Sequence, residues 1–244
     1  MPRSRAFERY ARDSALVLGG AAAILLQVAD PVVGRGVAAH SAFAEDPMRR
    51  LRHTLGYVYA VSLGDAGQVR RVAGFVDRAH TGVPGATDPE RQLWVAATLY
   101  RVGVDTYELL HGKLDPTLAD ELYDASALLG TALQMPAAVW PRDRAAFDTY
   151  WADAVAALEV GDDARAVARD LLHPRHVPLW VRAGMPLGRT LTAGLLPASL
   201  RDAYELPWSP PAFRRALAVA RRASRVTPRR LRELPSRRLL RDRP

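Results

Sequence analysis

The residues best able to do chemistry in this chain fall in two neighbouring stretches. In "DPMRRLRHTLGYVYAVSLG", residues 46–64, helical spacing puts Arg50, His53, Thr54 and Tyr57 on one face, within an arc of about 100°. A second stripe of Leu51, Leu55, Val58 and Ser62 lies beside it. A guanidinium, an imidazole, a hydroxyl and a phenol together can hold an anion, orient oxygen or donate a proton. A polar stripe beside a core stripe is also what a solvated helix flank looks like.

The second stretch, "RRVAGFVDRAHTGVPG", residues 70–85, ends an apolar stripe on a histidine. Val69, Val72, Ala73, Val76 and His80 fall in a narrow arc, so the imidazole points where the valines point. Three readings follow. Gly82 and Pro84-Gly85 stop the helix just after His80, so the ring could complement the negative end of the helix dipole. It could be a core histidine satisfied by a carbonyl. Or it could be a ligand to a metal or a haem, which needs a neutral imidazole, a dry wall and one free ring nitrogen.

The other histidines carry weaker signals. His40 lies in line with Val33, Gly36 and Val37 on a short helix, and Gly34 and Gly36 leave room for another backbone or a flat ligand. His111 precedes Gly112 at a helix end, which favours a dipole role. His173 and His176 flank Pro174 as an H-x-x-H pair without further zinc ligands.

Composition narrows the chemistry. The 244 residues contain no cysteine, which removes disulfides, thiolate-bound haem, iron–sulfur clusters and cysteine nucleophiles together. H-E-x-x-H, P-loop, G-x-G-x-x-G and G-x-S-x-G motifs are absent, so zincin, nucleotide-binding and hydrolase readings lack support. The formal charge is +8. From Phe213 to Pro244 twelve arginines stand against Glu233 and Asp242, so that stretch carries +10 and the rest −2. A nucleic-acid or anionic-membrane reading therefore has to rest on the basic tail. No aromatic interleaves its arginines, and a nucleic-acid partner is disfavoured.

The elements that must position these residues are helices. Nearly every segment has helical period and no sustained alternation of β-branched residues. The expectation is an all-α fold, a single multi-helix domain with no sheet. Helices are expected at roughly 6–29, 31–41, 46–63, 65–81, 88–112, 115–134, 141–158, 161–172, 176–195, 197–204 and 209–226. Asp30-Pro31, Asp46-Pro47, Asp88-Pro89, Asp115-Pro116 and Ser209-Pro210 each place a capping side chain before a proline at the first helical position. The uncharged run "ALVLGGAAAILLQVA", residues 15–29, imitates a signal peptide, with Ala42-Phe43-Ala44 imitating a cleavage site. Glu8, Asp13, Asp30 and Arg35 argue instead for a buried helix, and the run is short of the ~20 residues of a spanning helix. Residues 1–226 are read as the helical domain. Residues 227–244 are read as a basic, flexible tail, removable without loss of the core.

In order along the chain, "LLQVADPVVGRGVAAHSAF", "DPMRRLRHTLGYVYAVSLG", "RAHTGVPG", "LWVAATLYRVGVDTYE" and "LTAGLLPASLRDAYELPWS" resemble the MpaB-type oxygenase family, which includes the latex-clearing rubber oxygenases. The resemblance implies an all-helical fold around a b-type haem, with a histidine as axial iron ligand and an Arg-x-x-x-Thr pair near the iron. Arg50 and Thr54 match that pair, and His80, on the next helix, is the choice for the axial ligand. His40 is a second cofactor-side candidate. His53 stands where latex-clearing relatives carry lysine, while Asp30 and Ala96 stand where many relatives carry histidine. The expected activity is haem-dependent oxygenation of a small apolar substrate with dioxygen, catalysed through Arg50, Thr54 and His53. The alternatives are a haem-free binding module, or a basic-tailed binder of nucleic acid or anionic membrane. The expected location is the cytoplasm, with peripheral membrane contact through the tail.

Overall fold

The computed structural model describes residues 3–40 and 46–241. The side chain of His40 and the Ala42-Phe43-Ala44 stretch lie outside the described residues. The described chain is all helix, without strands. It runs α1 (Arg5–Ala11), a 3₁₀ turn (Ser14–Gly19), α2 (Gly20–Val28), α3 (Pro31–His40), α4 (Pro47–Leu63), α5 (Ala66–His80), α6 (Pro89–His111), α7 (Pro116–Ser126) and α8 (Leu128–Thr131). Then follow α9 (Arg144–Ala156), α10 (Asp162–Leu172), α11 (Leu179–Leu195), α12 (Ala198–Ala203), α13 (Pro210–Val226), α14 (Arg229–Arg232) and α15 (Leu234–Arg241).

The proline-linked caps form as the sequence indicates. Asp30, Asp46, Asp88, Asp115 and Ser209 each accept a hydrogen bond from a first-turn backbone N–H, relieving donors that have no partner inside the helix. The apolar run packs as α2, whose Ala22, Leu25 and Leu26 are fully buried. Trp94 Nε1 and Tyr204 Oη donate to the carbonyls of Leu26 and Leu25 at 3.2 and 2.7 Å, tying α6 and the end of α12 to it. A Cβ on Gly34 would lie 2.6 Å from the Val28 carbonyl oxygen, so the glycine lets α3 fold back closely against α2. No single helix among the described residues is long and apolar enough to cross a membrane.

The long helix α6 has two working faces. Trp94 and Val102 join the core around α2 and α10, while Leu93, Ala97 and Tyr100 join an aromatic core with Tyr123, Trp140 and Phe147. Four of the expected helices differ in extent. The first breaks at Asp13, whose carboxylate caps the 3₁₀ turn through Ala15 N–H. The 115–134 span divides into α7 and α8. The 141–158 helix begins only at Arg144, where Asp143 caps it, and the 176–195 helix starts after Pro178.

The segment expected to be a flexible tail is helical through Arg241, and α15 packs on α4. Its anchors are polar. Arg232 Nη1 reaches Asp13 Oδ2 at 2.5 Å. Glu233, 5% exposed, takes Arg237 Nη2 at 2.7 Å and also pairs with Arg229. Three of the basic residues that suggested a free arm are therefore held in ion pairs.

Candidate functional site

The site is built on the hairpin of α4 and α5. Asp46 caps α4 through Arg49 N–H, and Asp65 with Gln68 forms a reciprocal capping box on α5. Gly64 and Asp65 join the two helices, which pack along each other. The last turn of α5 thereby returns to the first turn of α4, which carries Arg50.

His80, the final residue of α5, is half-buried, and its Nδ1 is enclosed with no hydrogen-bond partner among the described residues. Among the described residues no carbonyl satisfies that nitrogen, as the core-histidine reading expected. Burial pushes the His80 pKa below its ordinary value; Asp77 opposes this and the Arg50 charge adds to it. The ring is therefore kept neutral near pH 7, with a lone pair or a proton available at a dry position. Arg50 is itself half-buried, and burial lowers its pKa.

The remaining polar stripe divides. Thr54 is half-buried, one turn beyond Arg50. His53 is exposed, lies edge-on to Phe75 with ring centroids 5.1 Å apart, and lines a groove of about 400 Å³. Tyr57 also borders the groove, but its hydroxyl donates to the Leu129 carbonyl at 2.7 Å and burial holds the phenol firmly protonated. It braces α4 against α8. The third wall of the groove is Leu239 and Leu240 of α15.

Sequence reasoning missed two contributors. Asp77, three residues before His80, accepts from Gln134 Nε2 at 2.6 Å and tempers the electrostatics of the imidazole; its i−3 spacing was the available signal. The α15 wall had no local signal. The other candidates lie elsewhere. His111 Nε2 is 3.1 Å from Asp13 Oδ2, while His173 and His176 are exposed. No cluster of three or more metal-ligating side chains occurs among the described residues. Asp30 caps α3 and pairs with Arg91 Nε at 3.6 Å. Ala96 is 1% exposed inside the aromatic core.

Residues 8–226 match the family described as "ER-bound oxygenase mpaB/B'/Rubber oxygenase, catalytic domain". The chain belongs to this family. Two uncharacterized relatives, one of Mycobacterium bovis and one of Mycobacterium tuberculosis, are each 35% identical over 227 residues, covering 86% of this chain and 89% of theirs. No solved structure matches. As an mpaB/rubber-oxygenase domain the chain has a general oxygenase-like character, and α14 and α15 lie beyond the matched region.

Proposed function

We propose that this chain is a haem-dependent oxygenase that acts on an apolar organic substrate with dioxygen. The observation that carries the reading is the enclosed Nδ1 of a neutral His80, without a hydrogen-bond partner among the described residues, beside the half-buried Arg50. His80 would hold a b-type haem through its neutral imidazole and Arg50 would pair with a propionate, a donor set that needs no multi-ligand metal cluster. Neither Asp30, engaged as a cap, nor Ala96, packed in the core, competes for that role. When bound, the haem supplies the redox centre at which dioxygen is activated.

The protein groups do the positioning. His80 offers its imidazole in neutral form without first losing a proton, because burial and Arg50 both disfavour the charged ring. Arg50 provides fixed positive charge for a propionate or for negative charge developing on oxygen, and Thr54 offers a hydroxyl one turn away. His53 stands at the groove, where its exposed ring can hydrogen-bond an entering molecule or relay a proton. The apolar walls of the groove suit a substrate with little polarity of its own.

The test is reconstitution of the purified chain with hemin, followed by its absorption spectrum. A Soret band that is lost or shifted in His80→Ala, with helical circular dichroism unchanged, is expected. Arg50→Ala and Thr54→Ala should retain haem and lose turnover. Equal haem occupancy in His80→Ala would overturn the assignment. No Soret band in the parent protein would select the second reading, a haem-free binding module, which Asp30 and Ala96 at the family's histidine positions favour.

A further inference from the structure

We propose that the groove between α4, α5 and α15 binds an amphipathic carboxylate, an apolar chain or ring body ending in a carboxyl group. Its volume of about 400 Å³ falls in the range of small-molecule sites. The hairpin contributes successive positions of two helix faces, including Ala60, Val72 and Val76, and the C-terminal helix contributes Leu239 and Leu240. These surfaces suit a hydrocarbon body.

The polar groups on the walls fix the sign of the head group. Tyr57 Oη is engaged by the Leu129 carbonyl. Gln68 is engaged by Asp65 N–H and by the Leu240 carbonyl, the latter at 3.1 Å. This leaves Arg52, Arg71 and His53, and among the described residues no carboxylate lines the groove. Neither Arg52 nor Arg71 takes part in an ion pair among the described residues. Two arginines that line an apolar groove and make no ion pair among the described residues are complementary to an anion, and the planar guanidinium fork matches a carboxylate bidentately.

The location links this ligand to the site already described. Val76 stands one turn before His80 on α5, and His53 one turn after Arg50 on α4, so the groove runs toward the Arg50–His80 end of the hairpin. The Leu239–Leu240 wall lies outside the family match, which ends at residue 226. The proposal names a substrate class for the oxygenase reading and rests on that reading only for the ligand being oxidised. Binding itself needs no haem.

The full-length, haem-free chain is therefore titrated with the fluorescent probe 11-(dansylamino)undecanoic acid, then competed with dodecanoate, 1-dodecanol and dodecyl phosphate. Probe enhancement is expected, with dodecanoate the best competitor. In the double variant Arg52→Ala/Arg71→Ala, dodecanoate affinity should fall by about tenfold or more, with dodecanol affinity changed little. Both arginines are exposed, so the variant should fold, and circular dichroism checks this. Leu239→Ala/Leu240→Ala should weaken the acid and the alcohol alike. Unchanged dodecanoate affinity in the arginine variant, or a parent protein that prefers the alcohol or the phosphate, would overturn the proposal. Binding without a Soret signal would refute the haem reading and leave this one standing.

Discussion

Replacing Asp13 with asparagine should loosen the C-terminal strap that walls the groove. The Asp13 carboxylate is 6% exposed, caps Ala15 N–H at 3.0 Å, takes Arg232 Nη1 at 2.5 Å and lies 3.1 Å from His111 Nε2. Asparagine keeps the shape and the cap but removes the charge. Arg232, with its side chain 24% exposed and its Nε enclosed without a partner among the described residues, then loses its carboxylate. Breaking a fully buried pair costs roughly 3–5 kcal/mol, and the partial exposure of Arg232 reduces this to about 2–3 kcal/mol. Asp13→Ala loses the cap as well, for about 1 kcal/mol more. For a chain of this length each kcal/mol lowers Tm by about 2–4 °C, so Asp13→Asn should melt roughly 5–10 °C lower. Urea unfolding of the parent, Asp13→Asn, Arg232→Gln and the double variant measures the coupling, expected above about 1 kcal/mol. Trypsin should also cut more readily after Arg237 and Arg238 in Asp13→Asn. A destabilisation below about 0.5 kcal/mol, or strictly additive single variants, would refute the reasoning.

Two further outcomes follow from the packing. Burial alone would raise the Glu233 pKa, but hydrogen bonds from Arg237 and Arg229 outweigh it and hold the carboxyl below its ordinary value. Its stabilising contribution is thus complete above the unfolded value and is lost as pH falls through the lower folded value. The stability difference between the parent and Glu233→Gln should shrink as pH drops below about 4.5; parallel acid-unfolding curves would contradict this. In Gly194→Ala the new Cβ would sit 2.1 Å from Phe213 Cε2, where α11 meets α13. The displaced ring should cost about 1–3 kcal/mol, with recovery in Gly194→Ala/Phe213→Leu. An unchanged Tm in Gly194→Ala would show that the ring moves freely.

The sequence by itself determined the features whose causes lie within about one helical turn. The Asp-Pro and Ser-Pro caps, the helical period, the burial of residues 15–29 and the inward face of His80 were all legible. So was the Arg50, His53, Thr54 and Tyr57 stripe, although its division was not. Whether Tyr57 faces open space or the Leu129 carbonyl depends on a partner 72 residues away. The tertiary structure alone decided the order of the C-terminal strap. It follows from the contact of Asp13 with Arg232, across 219 residues of sequence. Local composition gave the strap prolines, arginines and few apolar anchors, the pattern of a free end. What orders it is a buried carboxylate near each end of the chain, Asp13 and Glu233, each matched to arginine. Such ion pairs have no period and no fixed spacing, so they become visible only when the fold brings distant charges out of water together.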